Sequence, residues 1–134
     1  MSPSEVPASD LMSWPVVTVD HSCTLQEAIE VLGAEEVGAV VVTRHGHPAG
    51  VLSERDVVAH LAQAADPAHV TAGEAMTDEV VTAPETITVR DAARLLATAD
   101  VRHLPLTRDG AIVGMLSCRD VVDALAEVRR TGSA

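Results

Sequence analysis

The sequence predicts a mixed α/β (α+β) chain made of two β-α-β-β-α halves, and three observations lead there. The first is repetition: residues 50–58 read GVLSERDVV and residues 114–122 read GMLSCRDVV, identical at seven of nine positions. Sliding the chain against itself by 64 residues pairs Met12 with Met76 and continues without a gap to about residue 63, with about 20 of roughly 52 pairs identical. The second is composition. The chain has 134 residues and is 47% apolar, enough for one compact domain or two small halves sharing a core. The third is that the apolar period changes in the same order within each half, from helical spacing to unbroken runs to turn signals. Each half is too small to stand comfortably alone, so the two are expected to pack sheet to sheet as a pseudo-symmetric pair.

The elements follow in order. Residues 16–19 and 80–83 are short β-rich runs closed by Asp20 and Pro84. Thr24 and Thr88 open the first helix of each half, where T-L-Q-E and T-V-R-D fit the capping-box pattern. Leu25, Ala28, Ile29 and Leu32 then recur at helical spacing, as do Val89, Ala92, Ala93 and Leu96. The apolar runs 39–42 and 104–106 fit strands buried on both faces. Arg44-His45-Gly46 and Arg108-Asp109-Gly110 are hairpin turns, followed by a third strand ending at Leu52 or Leu116. Ser53 and Ser117 open the last helix. The expected organisation is a tail over 1–8, a first repeat over 9–64, a linker over 65–72, a second repeat over 73–128 and a tail over 129–134.

Composition narrows the function. The net charge of −11 repels nucleic acid and anionic membranes, and a chain with no Phe, no Tyr and one Trp has no aromatic platform for stacking bases. The longest apolar run is about five residues, against the ~20 needed to span a bilayer. The opening MSPSEVPASD has no basic region of the signal-peptide kind, and two distant cysteines make no disulfide framework. A cytoplasmic location is the expectation. No nucleophile elbow, phosphate-binding glycine loop or metalloprotease helix occurs, so no enzyme and no catalytic residue is expected. His45 and His47 lie two apart at a turn without a third ligand nearby, so no metal site is expected. Cys118 opens a helix beside Arg119, a setting that favours a redox-sensitive thiol, although the matching position is Glu54.

The repeated turn carries two readings. In Ser53-x-x-Asp56 and Ser117-x-x-Asp120 the serine can cap the helix and the aspartate complement its dipole, with no ligand involved. Alternatively, a carboxylate there can accept both vicinal hydroxyls of a ribose, with the serine and the helix N–H groups near a phosphate.

This ordered set occurring twice resembles a cystathionine-β-synthase (CBS) domain pair, also called a Bateman module. The resemblance rests on the two G-h-h-S-x-x-D turns, on Val101-Arg102-His103-Leu104-Pro105-Leu106 and on Leu11-Met12 echoed as Ala75-Met76, and covers about residues 8–128. It implies two sheets packed about a pseudo-twofold axis, leaving two clefts for an adenosyl compound: AMP, ADP, ATP, S-adenosylmethionine or NAD. It further implies a stand-alone regulatory sensor, homodimeric and signalling to an unidentified partner protein, with no required cofactor. Carried over, one cleft uses Thr82, Val37, Gly38, Ser53, Arg55 and Asp56, and the other Thr18, Arg102, His103, Ser117, Arg119 and Asp120. Adenine is expected among Val17, Val37, Val81 and Val101. Arg102 and His103 stand where the first half has Gly38 and Ala39, so the second cleft is expected to take the more anionic end of a ligand, and Asp120 to matter more than Asp56. A structural dimerisation module with ligand-free clefts is the alternative.

Overall fold

Thr24 starts a helix for a local reason. Its hydroxyl accepts the Glu27 N–H at 3.0 Å while the Glu27 carboxylate accepts the Thr24 N–H at 2.9 Å, the two reciprocal bonds of a capping box. The computed structural model describes residues 2–130. Along them run β1 (Thr18–Asp20), α1 (Leu25–Glu35), β2 (Ala39–Arg44), β3 (His47–Ser53), α2 (Glu54–Ala62), α3 (Ala72–Ala75), β4 (Ala83–Pro84), α4 (Val89–Ala99), β5 (His103–Arg108), β6 (Ala111–Ser117) and α5 (Cys118–Arg130). Helix α1 buries Leu25, Ala28 and Leu32, and Glu36 ends it in the left-handed region at φ 55°. Helix α4 repeats this with Val89, Ala92 and Leu96 buried, the Thr88 hydroxyl capping Asp91 N–H at 3.1 Å, and Asp100 ending it at φ 54°.

The described residues form two three-stranded sheets, ordered β1-β2-β3 and β4-β5-β6. In each, the short first strand is parallel to the middle one and the third is antiparallel. The hairpins turn as the sequence predicts: His45 and Gly46 have φ 52° and 77°, Asp109 and Gly110 φ 51° and 82°. The middle strands are buried on both faces, with Val40, Val41 and Val42 in one and Leu104, Pro105 and Leu106 in the other. The short strands sit later than expected, at 18–20 and 83–84 rather than 16–19 and 80–83. Ahead of β1 the chain makes a single bond to β2, where the Val17 carbonyl accepts the Val41 N–H.

Compactness groups the chain differently from its sequence order. Residues 17–80 form one unit, and the segment up to Val16 joins the segment from Val81 onward in the other. The first unit buries Leu25, Ala28, Val40, Val42, Leu52, Val57 and Ala72 together. The second buries Ala8, Val89, Ala92, Leu104, Leu106, Leu116 and Val121.

This corrects the expected tail over 1–8. Val6 carbonyl accepts the Val89 N–H at 2.9 Å, Ala8 N–H donates to the Ile87 carbonyl at 2.7 Å, and Ala8 is fully buried. The segment pairs alongside the start of α4, where an orphan helix donor needs an acceptor. The expected linker over 65–72 does the same in the other unit: Val70 carbonyl accepts the Leu25 N–H at 2.7 Å, and buried Ala72 donates to the Cys23 carbonyl at 2.8 Å. Of the expected tail over 129–134, residues 129 and 130 complete α5 and the rest lie outside the described residues.

Candidate ligand site

Both repeated turns place their serine at the junction of a strand end and a helix start. Ser53 closes β3 opposite Ala39 and caps α2; Ser117 closes β6 opposite His103 and leads into α5. The strand that opens opposite each serine also helps to cap the helix. Gly38 carbonyl accepts the Glu54 N–H at 3.0 Å, and Arg102 carbonyl accepts the Cys118 N–H at 2.9 Å. Val37, Gly38, Ser53, Arg55 and Asp56 are thereby gathered at one end of one sheet, and Val101, Arg102, His103, Ser117, Arg119 and Asp120 at the matching end of the other.

The two aspartates are held differently. Asp56 completes a capping box: its Oδ2 accepts from Ser53 N–H at 2.9 Å and from the Ser53 hydroxyl at 3.0 Å, while Asp56 N–H donates to Ser53 Oγ at 3.3 Å. Its second oxygen, Oδ1, accepts from the Thr77 hydroxyl at 3.2 Å. Asp120 Oδ2 accepts from Ser117 N–H at 2.9 Å, and Asp120 N–H donates to Ser117 Oγ at 3.0 Å. Asp120 Oδ1 accepts no bond from any described residue, and the Ser117 hydroxyl has no acceptor among them. The capping reading is therefore realised in both motifs, and it leaves one oxygen of the second available.

The cations differ too. Arg119 reaches Asp123 one turn along α5 at 3.3 Å, with both side chains well exposed, so this pair is weak. Arg55 makes no ion pair with a described residue. Arg102 is exposed and His103 half-buried at the start of β5, against Gly38 and Ala39 in the other unit. Thr18 lies at the start of β1 and Thr82 just before β4, both exposed. Each belongs to the opposite unit from the motif with which the family resemblance pairs it.

Two contributors went unrecognised in the sequence. Thr77 is one, although it follows Met76 as Ser13 follows Met12. The other is the glycine that opens the repeated stretch. A Cβ on Gly50 would stand 2.7 Å from the Thr77 carbonyl and against the Met76 side chain; one on Gly114 would meet the Ser13 carbonyl at 2.9 Å and the Met12 side chain. Each glycine is a notch for the methionine segment that crosses it, and holds that segment close to the motif.

Other singled-out residues stay apart from this geometry. Cys118 is half-buried, its thiol facing the Val101 carbonyl at 3.8 Å. Burial pushes the Cys23 thiol up from its ordinary range, with the Glu27 and Asp20 carboxylates adding to the effect. His45 lies 6.5 Å from His21, ring to ring. No three His, Cys, Asp or Glu side chains among the described residues are grouped to hold a metal ion. Nor is any helix among them long and apolar enough to cross a membrane.

Comparison with known proteins agrees with this architecture. The sequence profile of the CBS domain matches residues 8–63 and again 72–127. The chain is 28% identical over 125 residues to the CBS domain-containing protein YhcV of Bacillus subtilis, covering 93% of this chain and 89% of that one. It is 32% identical over 125 residues to the CBS domain-containing protein CBSX3, mitochondrial, of Arabidopsis thaliana, covering 88% of this chain but 59% of that protein. Among solved structures it is similar to the CBS domain pair of protein MJ0100, crystallised with 5′-methylthioadenosine and S-adenosyl-L-methionine. There the TM-score is 0.80 and the identity 25%, covering 92% of this chain and 98% of that one. With two profile matches spanning most of its length, and two sheets built on one plan, this chain belongs to the CBS domain family as a tandem pair.

Proposed function

We propose that this CBS pair is a non-catalytic regulatory sensor that binds an adenosyl compound at its Ser-x-x-Asp helix starts and conveys occupancy to a partner protein. One observation carries the reading. At the second motif, a carboxylate oxygen (Asp120 Oδ1) and a serine hydroxyl (Ser117) remain unbonded by described residues, beside a helix start and an exposed Arg102. A ribose diol needs such an acceptor, and a phosphate or other anionic end is drawn to helix N–H groups and to a cation. The adenosyl ligands named for the MJ0100 pair support the same ligand class. Homodimerisation is part of the proposal: Val58 and Leu61 on α2, and Val122 and Leu125 on α5, are exposed apolar residues at matching positions.

The test is thermal melting with AMP, ADP, ATP, NAD and S-adenosylmethionine in turn. A compound that binds only the folded chain, present at a hundred times its dissociation constant, adds about 2.7 kcal/mol and raises the Tm. The 2′,3′-dideoxy analogue of the best compound should lose most of that shift. A second reading, a structural dimerisation module, draws on the two capping motifs, which use the serines and aspartates without a ligand. It is supported if no compound in the series moves the Tm.

A further inference from the structure

The geometry points to Thr77 as the residue that closes the first motif to a ribose, leaving the second as the sole high-affinity seat. The inference rests on the proposal that these aspartates grip a ribose diol, and deepens it. The scaffolds holding Thr77 and its counterpart Ser13 are alike. Thr77 exchanges backbone bonds with Val51, both at 2.9 Å, and Ser13 does so with Met115 at 2.9 and 3.0 Å. What differs is the side chain. Thr77 donates to Asp56 Oδ1 at 3.2 Å, whereas Ser13 donates to no oxygen of Asp120. The Ser53 hydroxyl also donates to Asp56 Oδ2, a bond that Ser117 does not make to Asp120. Three of the four lone-pair sites of the Asp56 carboxylate are thus taken by groups of its own unit, and a diol that donates twice must displace the Thr77 or the Ser53 hydroxyl.

The β-branched side chain makes that competition effective. Threonine has fewer χ1 rotamers than serine, so a hydroxyl already aimed at the carboxylate loses little freedom by staying there. A hydrogen bond to a charged group is worth enough to weaken a competing ligand about tenfold. Arg102 adds to the imbalance, because only the second motif has a cation beside its opening strand.

Isothermal calorimetry on the full chain decides the matter, with AMP, ATP and S-adenosylmethionine titrated separately. The wild-type chain should bind one equivalent tightly, and D120N should abolish that event. T77V removes the hydroxyl at constant shape and keeps the backbone bonds to Val51; it should add a second binding event, or strengthen a weak one about tenfold. T77S, which installs the other unit's residue, should act in the same direction. S13T should weaken the tight event about tenfold. A Tm within a few degrees of wild type establishes that each variant is folded. Two equal binding events in the wild type, or T77V and S13T without effect, would overturn the role of Thr77 while leaving adenosyl binding intact. No binding by any of the three compounds would overturn both.

Discussion

The unit over residues 17–80 and the unit that joins residues up to Val16 with those from Val81 onward share their backbone bonds, 64 positions apart. Val70 receives Leu25 as Val6 receives Val89; Thr77 pairs with Val51 as Ser13 pairs with Met115; Gly38 receives Glu54 as Arg102 receives Cys118. The side chains on that frame diverge. Thr77 stands against Ser13, Gly38 against Arg102, Glu54 against Cys118 and His21 against Glu85. The buried apolar positions and the glycine notches must satisfy packing twice, so they keep their character. Polar positions at strand ends face no such demand, and two sites on one frame can acquire different chemistry.

The sharpest test of that shared frame is to remove one of its pieces. Deleting residues 2–12 takes away buried Ala8 together with Val6, Leu11 and Met12, which pack on the second core. Full burial of a large aliphatic side chain is worth about 1.5–3 kcal/mol and these three are partly buried, so with Ala8 and its backbone bonds the loss is a large share of the stability of a small domain. Amide exchange should accelerate by several orders of magnitude in β4, β5 and β6, while β1, β2 and β3 keep most of their protection. The opposite pattern would mean that the leader serves the unit that follows it in sequence.

A smaller perturbation should strike both units alike. Gly50→Ala and Gly114→Ala each press a methyl group against a backbone carbonyl, at 2.7 Å from Thr77 and 2.9 Å from Ser13. Overpacking of this kind costs about 1–3 kcal/mol. Gly33→Ala is the control: nothing lies within 4 Å of its added methyl, and a helix interior gains about 0.5–1 kcal/mol from alanine. Urea titration of the three variants measures all of these. If Gly50→Ala and Gly114→Ala differ by more than about 1 kcal/mol, the two notches are not equivalent.

What could be read in the sequence was whatever local physics decides. The Thr24 box, the Ser53 cap and the Asp109-Gly110 turn each depend on residues within a few positions, and each formed as expected, whereas the box expected at Thr88 formed only its hydroxyl bond to Asp91 N–H. The leader was harder, because nothing within residues 1–12 says which half they will join. A signal did exist: Val6-x-Ala8 ahead of Met12 matches Val70-x-Ala72 ahead of Met76, so the repeat extends six residues further back than the identities at Met12 suggest. At the site, the Ser-x-x-Asp pairs were legible as caps and as ligand candidates. The state of each carboxylate was not, since Thr77 lies 21 residues from Asp56 and reaches it only through the β3 bridge.

The smallest expected difference between the units is in their response to acid. In the 17–80 unit three carboxyls lie below their ordinary range. Asp20 is held down by the Ser22 hydroxyl and N–H, Glu27 by the Thr24 N–H and hydroxyl, and Asp66 by the Ala68 N–H and then His69. Among the described residues of the other unit one carboxyl is lowered, Glu85, held by the Arg108 guanidinium through two nitrogens. A carboxyl whose folded pKa is depressed stabilises the fold above its unfolded pKa, near 4 for these groups, and that contribution disappears as pH falls through the folded value. Acidification from pH 6 to pH 3 should therefore weaken the 17–80 unit more than its counterpart. All four groups meet solvent and the effect is modest, visible as earlier thermal loss of the β2 amide resonances than of those in β5 at pH 3, against similar midpoints at pH 6. The triple substitution D20N, E27Q and D66N should shrink the change in the β2 midpoint between pH 6 and pH 3, and E85Q should shrink that of β5 by lowering the β5 midpoint at pH 6, where the Arg108 contact is intact in the wild type. Equal acid sensitivity in the wild-type units would show that the divergent surface carboxyls leave the shared frame untouched.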